Sequence, residues 1–183
     1  MLAYVFWHWR RPDVAASAYE RAQAAFHAAL REAPPVGFAA SASAAVTGAP
    51  WANAGGEAYE DWYLLRDSAA LDPLNEAAVT AGRRAAHDAA AAAAAGGTAG
   101  LYALRLGTAL ARPMAAAWFA KPTGATYDDV WQAAEPVVRA GQGALWMRRM
   151  VLGPSPEFCL RSLTPVVLPA EYDPLWLTLR PVV

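Results

Sequence analysis

The sequence has a single cysteine, Cys159, among 183 residues. No intrachain disulfide can form, and the chain reads as one made for a reducing, cytoplasmic setting. It also has little charge: 17% of residues are Asp, Glu, Lys or Arg, and the formal net charge is −1. A chain without excess positive charge has no electrostatic footprint for nucleic acid, so no nucleic-acid partner is expected. Charge-free apolar runs of about 20 residues, the length of a membrane-spanning helix, are missing. The start lacks a basic leader region and meets Arg10 and Arg11 early. Neither a secretory leader nor a membrane partner is expected. There is no HExxH, no pair of CxxC, no Walker loop and no GxGxxG after a strand. The three histidines, His8, His27 and His87, stand at no metal-ligand spacing, so no metal site and no cofactor are expected.

What is present is apolar and aromatic. The chain is 56% hydrophobic, too apolar for disorder and long enough for one large domain or two small ones. Its eight tryptophans read as core and cavity wall. Residues 2–11, Leu-Ala-Tyr-Val-Phe-Trp-His-Trp-Arg-Arg, form an aromatic and β-branched strand. Side chains alternate along a strand, so Tyr4, Phe6, His8 and Arg10 share one face and Ala3, Val5, Trp7 and Trp9 the other. The second face is wholly apolar and is expected to pack on helices. The first, with a histidine and an arginine among aromatic rings, suits either a cavity lining or a partly solvated face.

Pro12 stops the strand and Asp13 can cap a helix over 14–32. Val14, Ala18, Ala22, Ala25 and Ala29 make its apolar stripe, widened by Phe26 and Leu30. Gln23 and His27 fall away from that stripe, so His27 reads as a surface histidine. Residues 37–47 alternate as a strand of small residues, with Ser41 and Ser43 on one face. After a loop over 48–56, the strand 59–66 puts Tyr59, Asp61, Tyr63 and Leu65 together, opposite Glu60, Trp62, Leu64 and Arg66. Asp72-Pro73 starts a helix that runs to about Ala95, where Gly96-Gly97 ends it. Leu101 to Leu106 is a fourth strand. Residues 2–106 thus read βαββαβ.

The order then repeats. Met114 to Lys121 with Pro122 echoes the opening strand. Thr126 with Asp129 resembles a capping box for a helix over 127–140, which Pro136 should kink or shorten. A strand over 143–151 and a turn at Gly153-Pro154-Ser155-Pro156 lead to Glu157-Phe-Cys-Leu-Arg-Ser162, which mirrors Trp62 to Ser68. Cys159 reads there as a buried structural thiol. The proline-rich stretch 165–174 leaves room for a turn only, and Leu175 to Arg180 echoes Leu101 to Leu106. The expected organisation is α+β: one βαββαβ repeat over 1–108 and a second over 112–183 that lacks most of its last helix.

This order of elements resembles tandem ferredoxin-like repeats, and two such units in one chain resemble the dimeric α+β barrel superfamily. The resemblance covers nearly the whole chain and carries no diagnostic motif. It implies a pseudo-dimeric barrel of two facing antiparallel sheets with helices outside. It also implies a range of activities, from cofactor-free monooxygenases and isomerases to haem enzymes, among which fold does not choose. Haem members use an axial histidine, carried in the second half of tandem ones, and the second half here has none.

The best acid–base candidate is His8, a residue type suited to proton transfer at physiological pH, with Arg10 on the same face to hold an anionic oxygen. Asp61 and Tyr63 share a neighbouring face. Tyr4, Phe6, Ser41 and Ser43 are further candidate cavity liners, as are Trp118, which takes the place of His8 in the second repeat, and Arg148 from the second sheet. Three functions stay open. The first is binding of a small, largely apolar molecule in a cavity between two sheets. The second is a cofactor-free monooxygenase- or isomerase-like enzyme with His8 as base. The third is a non-catalytic interaction module whose own side chains fill the hollow. Exposed sheet in the short second half would suit a homodimer.

Overall fold

The aromatic opening stretch becomes β1, Leu2–Arg10, in a computed structural model that describes every residue except 81, 111, 150–152 and 154. Then follow α1 (Ala16–Glu32), β2 (Phe38–Val46), β3 (Ala58–Leu65), α2 (Leu71–Ala78), α3 (Arg84–Ala93) and β4 (Ala94–Gly107). The remainder comprises β5 (Ala115–Phe119), α4 (Tyr127–Ala140), β6 (Ala144–Arg148), β7 (Phe158–Ser162) and β8 (Leu175–Pro181). The eight strands hydrogen-bond in the order β1-β3-β2-β8-β5-β7-β6-β4 and close into an antiparallel barrel, which with four α-helices makes a mixed α+β fold. The chain divides into two units, residues 1–99 with 180–183, and residues 100–179.

In the first unit β3 is the central strand, paired with β1 from Leu2↔Leu65 to His8↔Tyr59 and with β2 from Phe38↔Leu65 to Val46↔Ala58. The helices cover the face opposite to the one its apolarity suggested. Tyr19 of α1 meets His8 of β1, so α1 packs on the Tyr4, Phe6, His8 side. Ala3, Val5 and Trp7 lie fully buried on the other face, where Trp62 opposes Val5 and donates to Glu60 at 3.1 Å.

The buried stripe of α1 is rotated as well. It consists of Tyr19, Gln23, Phe26, His27 and Leu30, while Ala25 is exposed. Large side chains set the buried face, because burying one contributes roughly 1.5–3 kcal/mol where alanine contributes far less. Gln23 and His27 look like surface residues by polarity alone, but polar groups are buried readily once partnered.

The expected helix over 72–95 is two helices. α2 ends at Ala78; Thr80 and Gly82, poor helix formers, lie in the link to α3, where Gly82 takes φ +88. Arg83 donates to the Ala77 carbonyl and Arg84 to that of Val79, both at 2.8 Å, satisfying carbonyls at the break. Ala81 lies outside the described residues. Gly96-Gly97 does not terminate a helix but lies inside β4. A Cβ on Gly96 would sit 2.6 Å from the Trp9 ring and one on Gly97 2.5 Å from the Phe6 ring, so only glycine lets β4 run this close to β1.

In the second unit β7 pairs with β5 and β6, and β6 with β4. Ala117, Phe119, Phe158 and Leu160 pack with Val130, Ala134 and Val138 of α4 and with Tyr172. The capping box is present, with both the Thr126 and the Asp129 arms made. Pro136 does not shorten α4, which continues to Ala140. The expected strand 143–151 ends at Arg148, and its last two residues lie outside the described ones, as does Pro154 of the turn. No helix among the described residues is long and apolar enough to cross a membrane.

Candidate functional site

Strand and helix periodicity bring six polar side chains together in the first unit. On β3, Asp61 and Tyr63 are two residues apart and face the helices. Pairing places Phe6 of β1 opposite Asp61, and Ser41 of β2 opposite Tyr63. On α1, Tyr19 and His27 are two turns apart on the buried stripe, and so reach opposite ends of the same patch. His8 completes the set.

The centre is Asp61, 1% exposed. Its Oδ2 accepts the Tyr63 hydroxyl at 2.9 Å. The Nε2 atoms of His8 and His27 lie 3.2 and 3.3 Å from the same oxygen. Each ring is tied at its far nitrogen to a hydroxyl, His8 Nδ1 to Tyr19 at 2.6 Å and His27 Nδ1 to Ser41 at 2.7 Å. Each also stacks on a tyrosine, His8 on Tyr59 at 5.7 Å and His27 on Tyr63 at 5.3 Å between ring centres. The result is a buried row, Tyr19–His8–Asp61–His27–Ser41, whose rings cannot rotate without breaking a stack and a hydrogen bond. The other carboxylate oxygen of Asp61, Oδ1, has no hydrogen-bond partner among the described residues.

The electrostatics follow from this packing. Burial alone would push the Asp61 carboxyl up, but the two imidazoles outweigh it and hold the group below the usual carboxylate range. Burial, and then the Asp61 charge, push the phenols of Tyr63, Tyr19 and Tyr4 above theirs. The site therefore keeps an ionised carboxylate and neutral tyrosines across the physiological range.

A cavity of about 540 Å³ adjoins the cluster. Tyr4, Phe6, Asp61 and Tyr63 border it from the sheet, Tyr19, Gln23 and Phe26 from α1, and Leu74 and Ala90 are among its wall residues on α2 and α3. The hollow thus lies between the sheet and its helices within one unit, not between two sheets.

Of the residues expected at a site, Tyr4, Phe6, Asp61 and Tyr63 border this cavity. His8 and Ser41 stand behind the wall, joined to it through Asp61 and His27. Ser43 is buried opposite Asp61 in the ladder and does not border the cavity. Arg10 is elsewhere: its guanidinium donates to the Val14 carbonyl at 2.9 Å and lies 3.5 Å from Glu57, so it cannot hold an anion here. Trp118 and Arg148 belong to the second unit. Trp118 lies edge-on to Tyr102, on the face away from α4, so the helix-facing counterparts of Phe6 and His8 are Ala117 and Phe119. Arg148 donates to the carbonyls of Gly153 and Ser155.

Tyr19 and His27 were missed. Their signal was the spacing Tyr19, Gln23, His27, three hydrogen-bonding side chains at i, i+4 and i+8. Among the described residues no group of three or more His, Cys, Asp or Glu is placed to hold a metal ion.

No protein-family model matches the chain, and no curated protein matches it. Solved structures do. A candidate monooxygenase from Fusobacterium nucleatum subsp. nucleatum aligns with a TM-score of 0.68 and 9% identity, over 100% of this chain and 92% of that one. A second candidate monooxygenase, from Lactobacillus acidophilus, aligns with a TM-score of 0.58 and 9% identity over 100% and 94%. An anthrone oxidase-like protein aligns at 0.51 and 8% identity over 98% and 90%. At such identities the likeness is one of fold.

Proposed function

We propose that the chain binds a small, largely apolar molecule in the cavity under α1–α3, with its polar end at Asp61. The observation that carries this is a hollow of about 540 Å³, apolar and aromatic over most of its wall, bordered by a buried carboxylate with an unused oxygen. Small-molecule sites have this form, roughly 300–1,000 Å³ with a few polar groups fixing orientation. An interaction module without a ligand would fill such a space with its own side chains.

A second reading is favoured by the paired histidines: the bound molecule gives up a proton to this cluster, as in a cofactor-free monooxygenase or isomerase. His8 does not border the cavity, so in this reading Asp61 takes the proton and His8 and His27 adjust its basicity and position. Two of the structural neighbours are candidate monooxygenases, which favours the oxygenase branch. The strand orders β4-β1-β3-β2 and β8-β5-β7-β6 have the same pattern, which supports tandem ferredoxin-like units and a place in the dimeric α+β barrel superfamily.

Titration calorimetry with 2-(1-naphthyl)ethanol as probe tests the binding reading. Wild type is expected to bind it, and Ala90→Phe, which places a ring in the cavity, to lose at least about tenfold in affinity, or about 1.4 kcal/mol. Equal binding by both proteins would place the ligand elsewhere.

A further inference from the structure

We infer that the polar end of this ligand is cationic: the cavity is built for a protonated amine on an apolar body, and it rejects acids. The inference rests on the binding reading above and specifies the charge of the bound molecule.

Among the described residues two carboxylates border the cavity, Asp61 in its buried wall and Asp72 at the exposed start of α2, and no lysine or arginine does. The one arginine expected near it, Arg10, is occupied at Val14 and Glu57. Asp61 has all its partners on Oδ2, which leaves Oδ1 without a donor. A buried charged acceptor calls for a donor, and a cationic one most of all.

The two histidines meet the carboxylate at Oδ2 alone: their Nε2 atoms lie 3.2 and 3.3 Å from it, and their Nδ1 atoms are held by Tyr19 and Ser41. Of the remaining polar groups at the wall, Gln23 and Asn75 are uncharged amides, and the His87 ring is paired with the Asp88 carboxylate at 3.1 Å. The walls complete the pattern. Tyr4, Phe6, Phe26 and Tyr63 surround the space with aromatic rings, whose negative faces attract organic cations. An anion entering would meet two carboxylates and aromatic faces, with no lysine or arginine among the described wall residues.

The test is a charge series on one body, measured by calorimetry at pH 7 with 2-(1-naphthyl)ethylammonium, 2-(1-naphthyl)ethanol and 1-naphthylacetate. The amine should bind about tenfold tighter than the alcohol, and the acetate at least about tenfold weaker. In Asp61→Asn the amine should fall to the affinity of the alcohol, which itself changes by less than about threefold. Should that variant fail to fold, Asp72→Asn on the exposed rim reads the same sign, with the amine weakened about two- to threefold and the acetate strengthened. Amine binding no tighter than alcohol, or acetate equal to either, overturns the proposal. If the alcohol then still binds wild type and not Ala90→Phe, the cavity reading survives and only its charge preference falls. Failure of all three probes sinks both.

Discussion

Truncating Asp61 to alanine removes the one acceptor that three donors share. The Tyr63 hydroxyl and the Nε2 atoms of His8 and His27 would be left facing an apolar void, in side chains that are 6%, 1% and 0% exposed. A buried polar group that loses its partner costs about 1–3 kcal/mol, and breaking a buried charged cluster from one side costs about 3–5 kcal/mol. Applied to three stranded donors, the first route gives roughly 3–9 kcal/mol, so the two overlap at about 3–5, centred near 4, against a usual total of roughly 5–15. With a urea dependence of about 2 kcal/mol per molar, the unfolding midpoint should drop by about 2 M, followed by tryptophan fluorescence and far-ultraviolet circular dichroism. Asp61→Asn keeps an acceptor for Tyr63 and should cost less than half as much. A loss below 1 kcal/mol for alanine would mean that the histidines and Tyr63 find other partners, and the cluster would not be the closed unit described here.

The same carboxylate sets an acid response. Because the Asp61 carboxyl is held below its unfolded value of about 3.9, the unfolded chain binds more protons in that range. The stability it contributes is complete above about pH 5 and is lost as pH falls through 4 and below, so denaturation midpoints taken from pH 6 to pH 3 should fall more steeply in wild type than in Asp61→Asn. Gly97→Ala should destabilise by about 1–3 kcal/mol in thermal melts, since its Cβ would meet the Phe6 ring at 2.5 Å and the Trp7 carbonyl at 2.9 Å; an unchanged midpoint would mean that β4 does not approach β1 as described. Thr126→Ala, which removes the hydroxyl arm of the capping box on α4 and keeps the Thr126 N–H on the Asp129 carboxylate, should cost about 1 kcal/mol in urea without altering naphthyl ligand binding in the first unit.

Strand composition and alternation were legible in the sequence, and so were the Asp61/Tyr63 face and the cap at Thr126. Three features were not, each for a physical reason. The covered face of β1 was misjudged because apolarity alone cannot say which of two buried faces meets a helix, and both are buried here. The site histidine of α1 was misjudged because a polar residue in a helix reads as solvated until its partners are known. Those partners, Asp61 and Ser41, come from strands that only the folded sheet brings beneath it. The break in the 72–95 helix was hidden by alanine, whose propensity outvotes a single Gly82 until the carbonyl contacts of Arg83 and Arg84 are seen.

The second unit serves as a control for the meaning of the cluster. Its own sheet face under α4 has the same kind of positions, and Ala117, Phe119, Phe158 and Leu160 occupy them. Trp131 and Tyr172 pack there too, and the layer between helix and sheet is filled with hydrocarbon and aromatic rings. The fold therefore does not require polar groups under its helices. Replacing a buried ionic cluster with well-packed apolar residues is often neutral or stabilising by about 1–4 kcal/mol. The first unit nevertheless holds a carboxylate, two imidazoles and three hydroxyls beside a hollow that packing could have closed. An arrangement that stability would replace, and that the second unit does without, is what the proposed recognition of a ligand would require. If His8, His27, Ser41 and Asp61 were together replaced by leucine, phenylalanine, alanine and leucine, stability should stay within about 2 kcal/mol of wild type while amine binding vanishes. Retained amine affinity in that variant would show that the polar row has no part in recognition.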